Sequence, residues 1–262
     1  MRSFFRNLER EGVEYILISG QAAVLYGAAT FSENFDLSVR PTSANLSALK
    51  SALVRSGARV YKLTPSLTLA HARAGHGFHF TVPDDEGSTA YLDVMARPPR
   101  VGSFARSLAR REVLKTDWGT LPVVAIPDLV QLKLTRRLAD YDVISNLVSL
   151  RVHRDAGPTR KLLSWAVETT FRVEDVVSWL ATHTVVAKLL RASERPVLVA
   201  LAAGVVSDRS VSEEAITEAG LALGKEIAER QRADVTYWRP IIDELRQLRA
   251  AGELLEVGTP VL

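Results

Sequence analysis

The run from Val13 to Val39 constrains the fold of this chain more tightly than any other. Val13 to Ser19 (VEYILIS) is short, apolar and rich in β-branched residues, the pattern of a buried strand. Gly20 then opens a helix of small residues, GQAAVLYG, which Gly27 stops, and Phe35 to Arg40 reads as a second strand closed by Pro41. A strand that turns at once into a short helix and returns as a strand builds a sheet with a helix-covered face. The same alternation continues downstream. Thr42 or Ser43 caps a helix that carries Leu46, Leu49, Leu53 and Val54 on one face, and further strands are predicted over Arg59–Leu63, Phe78–Val82, Ala90–Met95 and Pro122–Ala125. PDDEG between the second and third of these is a hairpin turn signal.

From Asp128 onward the periodicity is almost wholly helical, with helices expected over 128–150, 158–170, 173–192, 195–205, 211–233 and 236–251. The expected architecture is therefore an α/β domain over residues 1–126 followed by an α-helical domain over 127–262, and a length of 262 residues suits two domains.

Composition narrows the chemistry. With no cysteine, disulfides, thiolate zinc sites and cysteine nucleophiles are all excluded. Thirty-three Lys and Arg against 30 Asp and Glu leave a net charge of only +3, too balanced for a non-specific nucleic-acid coat. The N-terminal residues lack the apolar core of a signal peptide, and the most apolar stretch, Pro196 to Val206, is about half the length that spans a bilayer. A cytoplasmic protein with no membrane partner is expected.

The candidate site lies in SGQAAVLYGAATFSENFDLSV, Ser19 to Val39. A glycine at a strand-to-helix turn lets a phosphate approach the backbone, where the helix start offers unpaired N–H groups and partial positive charge. Residues two apart on a strand share a face, so Asn34 and Asp36 project together. Asp93, in YLDVM, faces away from Leu92 and Val94 and supplies a third oxygen ligand.

Strand, small-residue turn, helix, a D-x-D on the next strand and one further Asp resemble the DNA polymerase β-like nucleotidyltransferases. The frame of Ile18-Ser19-Gly20, Ala22-Ala23, Tyr26-Gly27, Ser32 and Asn34-Phe35-Asp36-Leu37 is similar to the minimal bacterial members, including AbiEii-type toxins of abortive-infection and toxin–antitoxin systems. IPDLVQLKL (Ile126 to Leu134), with Arg137, Asp140 and Asp142-Val143-Ile144, is similar to that group's second conserved region. The likeness covers roughly residues 13–150.

The resemblance implies a mixed sheet with flanking helices and a reaction that depends on Mg²⁺ or Mn²⁺. In it, an NMP moves from an NTP such as ATP to a hydroxyl of an RNA such as tRNA, of a protein, or of a small molecule such as an antibiotic. It implies that Ser19, Gly20 and Ser32 hold the nucleotide and that Lys133 neutralises the triphosphate. Asn34, Asp36 and Asp93 would hold the metal, Asp93 also taking the hydroxyl proton, and a cognate antitoxin would be a partner.

Three positions depart from the pattern. Asn34 stands where the group has the first Asp, Thr30 where it has an arginine, and Ser32 where it has Thr. Asn keeps an oxygen but loses a negative charge, which weakens a two-cation site. A weakened enzyme, or an inactive module that binds nucleotide or a partner, is the alternative expectation.

Three weaker signals complete the reading. His71, His76 and His79 crowd HARAGHGFHF, but Gly75, Gly77 and the strand-like FHFTV argue against a helical metal pair, leaving a pocket or surface role. The run from Arg97 to Lys115 has six basic side chains and one acid, Glu112, and could guide a polyanion or form a solvated helix face. Trp165, Trp179, Tyr237 and Trp238 read as core aromatics.

Overall fold

A computed structural model describes residues 1–207 and 209–262. The chain forms two compact units: Met1–Leu132 together with Tyr237–Leu262, and Lys133–Thr236.

The first unit is a seven-stranded mixed sheet with helices. Its elements run α1 (Arg2–Arg10), β1 (Tyr15–Ile18), α2 (Ser19–Tyr26), β2 (Asn34–Val39), α3 (Ser43–Arg55), β3 (Arg59–Val60), α4 (Leu69–Ala74), β4 (Gly77–Pro83), β5 (Thr89–Met95), α5 (Phe104–Arg110), β6 (Glu112–Thr116), β7 (Gly119–Val123) and α6 (Ile126–Leu132). The strand order is β3-β4-β5-β2-β1-β7-β6. β1 pairs antiparallel with β2 and parallel with β7, while β2 pairs parallel with β5. The buried residues are those the alternation assigns: Phe35 and Leu37 on β2, Phe78, Phe80 and Val82 on β4, Leu92 and Val94 on β5. Thr42 caps α3, accepting a hydrogen bond from the Asn45 N–H, and Leu46, Leu49 and Leu53 bury its inner face. Val54, expected beside them, is 47% exposed.

The second unit is helical: α7 (Ala139–His153), α8 (Arg160–Thr169), α9 (Val173–Thr182), α10 (Val185–Ala192), α11 (Pro196–Ala203), a small hairpin of β8 (Val205–Ser207) and β9 (Ser210–Val211), and most of α12 (Glu213–Ala250). Tyr141, Ile144, Leu147, Val148, Leu163, Val176, Trp179, Leu190 and Leu201 fill its core. Arg195 ties its loops down, donating through Nη1 to Val167 O and Nη2 to Thr170 O while its Nε meets Glu226 at 2.9 Å. Among the described residues no helix is long and apolar enough to cross a membrane.

Three details differ from the sequence reading. The single boundary expected at 126/127 gives way to a discontinuous unit, because residues 127–132 and 237–262 group with the sheet. The last segment pairs with the sheet's edge: Val60 N donates to Thr259 O, Gly258 N to Val60 O and Leu255 N to Thr64 O. The later boundary falls between Thr236 and Tyr237 within α12, where Pro240 lacks the N–H that would have reached the Thr236 carbonyl. Finally, the helix expected over 128–150 breaks between α6 and α7. There the Thr135 hydroxyl accepts from Arg137 N and donates to Asp140, and the Tyr141 hydroxyl donates to Thr135 O. Side-chain bonds of this kind compete with the helical ladder.

Candidate functional site

Strand register assembles the site. Asp36 stands opposite Ile18 on β1 and opposite Asp93 on the parallel neighbour β5. Partners in register on adjacent strands project to the same face, so Asn34, Asp36 and Asp93 share it. Asn34 Nδ2 donates to Asp93 Oδ2 at 3.0 Å. Across the β4–β5 hairpin His79 pairs with Asp93, and its Nδ1 donates to Asp93 Oδ1 at 2.7 Å. Both carboxylate oxygens of Asp93 are therefore engaged.

Burial pushes the Asp93 carboxyl up, but the His79 hydrogen bond and charge, the Lys62 ammonium and the Asn34 amide outweigh it, so the group titrates below the ordinary carboxylate value. A carboxylate so stabilised stays charged and can face a cation.

The turn at Ser19-Gly20 sits at the end of β1, beside Asp36. Ser19 adopts φ 59°, a left-handed backbone uncommon for a side-chain-bearing residue, and begins α2. Gly20 also has a packing use. A Cβ there would lie 2.3 Å from Ser32 Oγ, so the missing side chain makes room for Ser32, whose hydroxyl donates to Asn34 O. Replacing Gly20 by Ala is expected to cost about 1–3 kcal/mol through overpacking. A Gly20→Ala, Ser32→Gly pair should recover most of it in urea unfolding; equal losses in the single and double variants would show that Ser32 is not the obstacle.

Lys133 is the first residue of the second unit. It is buried, and its Nζ lies 2.9 Å from Asp140 Oδ1, so its charge is matched there. Burial raises the Asp140 carboxyl, while Lys133, Thr135 and Arg137 together bring it below the ordinary value.

The other signals resolve differently. The basic run forms the short α5 and strand β6, and Arg110 Nη2 is spent on Asp128, at 2.6 and 2.8 Å from its two oxygens. Of the three histidines, His71 Nδ1 donates to Ser66 O at 2.9 Å, and the fully buried His76 places Nε2 3.0 Å from Glu244. Among the described residues no group of three His, Asp or Glu could hold a metal ion. Of the four aromatics only Trp179 is buried, and Tyr237 is 39% exposed.

His79, read from the sequence only as a pocket or surface residue, has a partner that reading did not name, Asp93. Its signal was present: in FHFTV it faces away from Phe78 and Phe80, and a hairpin centred on Glu86 pairs position 79 with 93.

The donor set at this face is two carboxylates, one amide and one imidazole. Asp36, Asp93 and the Asn34 oxygen are hard ligands that suit Mg²⁺ or Mn²⁺. The hydrogen bonds now made by Asp93 would have to open for one to bind in full. A scan against protein-family models and a search of curated proteins both find no match to this chain.

Proposed function

We propose that the sheet unit is the catalytic module of a nucleotidyltransferase, transferring an NMP from an NTP such as ATP to a hydroxyl of an RNA such as tRNA or of a protein. The observation that carries this reading is the in-register pair Asp36 and Asp93 on adjacent parallel strands, beside the strand-to-helix turn at Ser19. Asp36 and Asp93, helped by the Asn34 oxygen, would hold Mg²⁺ or Mn²⁺, which supplies charge neutralisation for the triphosphate. The N-terminal amides of α2 and the Ser19 hydroxyl bind phosphate oxygens. The acceptor oxygen bonds to the α-phosphorus, the bond from that phosphorus to the bridging oxygen breaks, pyrophosphate leaves, and the hydroxyl proton passes to solvent. On this reading the chain is a cytoplasmic toxin with a cognate antitoxin as its partner.

A second reading, a module that binds nucleotide or a partner without catalysis, is favoured by the Asn34–Asp93 hydrogen bond, which holds the pair together with no cation. A labelled-NTP transfer assay against tRNA and protein separates the two. Wild type is expected to transfer label with Mn²⁺ or Mg²⁺, and Asp36→Asn is expected to lower the rate about 100-fold or more. No transfer by wild type or by Asn34→Asp with either cation would leave the binding module.

A further inference from the structure

The first unit holds a groove of about 590 Å³ at the carboxyl ends of β2 and β5. It lies beyond the strand ends and not among the carboxylates: Pro41 in its wall comes two residues after β2 ends, with four residues between it and Asp36. Three arginines line it, Arg73 from α4 with Arg97 and Arg100 from the loop after β5, and no Asp or Glu does. Two of them also reach backbone carbonyls: Arg97 Nη1 donates to Arg73 O at 3.5 Å, and Arg100 Nε to Gln131 O at 3.0 Å. Arg100 also sits at φ 62°, in the left-handed region that side-chain-bearing residues rarely adopt.

Guanidinium groups gathered in one concavity without an acid among its walls focus positive potential there. Arg forks match phosphate oxygens in pairs. The rest of the lining is different in kind. Pro41 and Phe104 give apolar wall, and the partly exposed Tyr237 lines it as well. An anion that carries a flat ring satisfies both halves, the ring against the apolar wall and Tyr237, the charge on the arginines.

We propose that this groove is a binding site for a nucleoside phosphate, held by Arg73, Arg97 and Arg100 without a divalent cation. Its volume is large enough for one nucleotide. The site is independent of the transfer reaction proposed above, which needs Asp36, Asp93 and a cation.

The test is titration of the full chain with ADP and with inorganic pyrophosphate, by calorimetry in excess EDTA. ADP is expected to bind saturably at one site. An Arg73→Ala, Arg97→Ala variant should bind it about tenfold more weakly or worse, from the loss of two charge-assisted contacts. Both side chains are exposed, so an unchanged unfolding midpoint checks the fold. Tyr237→Ala should weaken ADP while leaving pyrophosphate unchanged. Asp36→Asn, Asp93→Asn should bind ADP in EDTA as wild type does. The proposal is overturned by the absence of saturable ADP binding in EDTA, by equal affinity in the arginine variant, by loss of binding in the aspartate variant, or by a single-stranded oligonucleotide that displaces ADP at far lower concentration. Loss of binding in the aspartate variant alone would move ADP to the transfer site; the other outcomes leave transfer untouched, and failure of transfer leaves the groove standing.

Discussion

Replacing Lys133 by Ala is expected to cost about 3–5 kcal/mol of folding stability, toward the lower end of that range. Asp140 is only 5% exposed, and the ammonium 2.9 Å away is its buried counter-charge. Removing one member of a buried pair strands the other in a medium that solvates it poorly. Thr135 and Arg137 still reach Asp140, but the Arg137 side chain is 67% exposed and solvent screens it. A Lys133→Met, Asp140→Leu pair should recover much of the loss, because a well-packed apolar pair often matches a buried ion pair. Urea unfolding of the three variants reads this directly. A loss below about 1 kcal/mol in Lys133→Ala, the range of exposed ion pairs, would free Lys133 from its structural duty and return it to the phosphate role that its sequence context implies.

The second large effect is a new dependence on cations in Asn34→Asp. At present the Asn34 amide donates to Asp93 at 3.0 Å. A carboxylate in its place removes the donor and sets two like charges at hydrogen-bond distance. In chelator the variant is expected to be about 1–3 kcal/mol less stable than wild type. Mg²⁺ or Mn²⁺ should restore it, since an ion that binds only the folded state adds about 2.7 kcal/mol when present at 100 times its dissociation constant. Wild type should respond less. Thermal unfolding with EDTA and with each cation decides it: a variant as stable as wild type in chelator, or unmoved by either ion, would remove the shared cation site on which the transfer reading depends.

Local periodicity carries far in this protein and then stops at long-range pairing. The alternation in FHFTV and YLDVM, with a turn between them, is enough to set the β4–β5 register and to bring His79 to Asp93. The meeting of Asp36 with Asp93 is a different matter. It depends on β5 lying beside β2 after α3, β3, α4 and β4 have intervened, and nothing local in either strand encodes that neighbour. Gly20 shows the same limit at shorter range. A glycine at a turn is visible in the sequence, but that it yields to Ser32 is a fact of packing. Lys133 and Asp140 are seven residues apart, yet the break at Thr135 that lets them pair comes from side-chain bonds that helical periodicity does not register. The segment from Leu254 to Val261 joins the sheet through backbone hydrogen bonds, and its sequence, LLEVGTPV, has no alternation to betray it.

That last contact sets an order of events during synthesis. The Arg59 guanidinium donates to the carbonyl of Gly258, a partner 199 residues later. At roughly 5–20 residues per second, the ribosome needs about 10–40 s to make the intervening chain. Throughout that interval the outer strand β3 has its hydrogen-bonding edge uncovered, and an open edge of this kind recruits other strands. A nascent chain is therefore most prone to aggregate late, when the strands are already made and the covering segment is still inside the exit tunnel. Chaperone occupancy on stalled chains of increasing length should remain high until residues beyond Val261 would be in the tunnel, and fall once the last segment has cleared it.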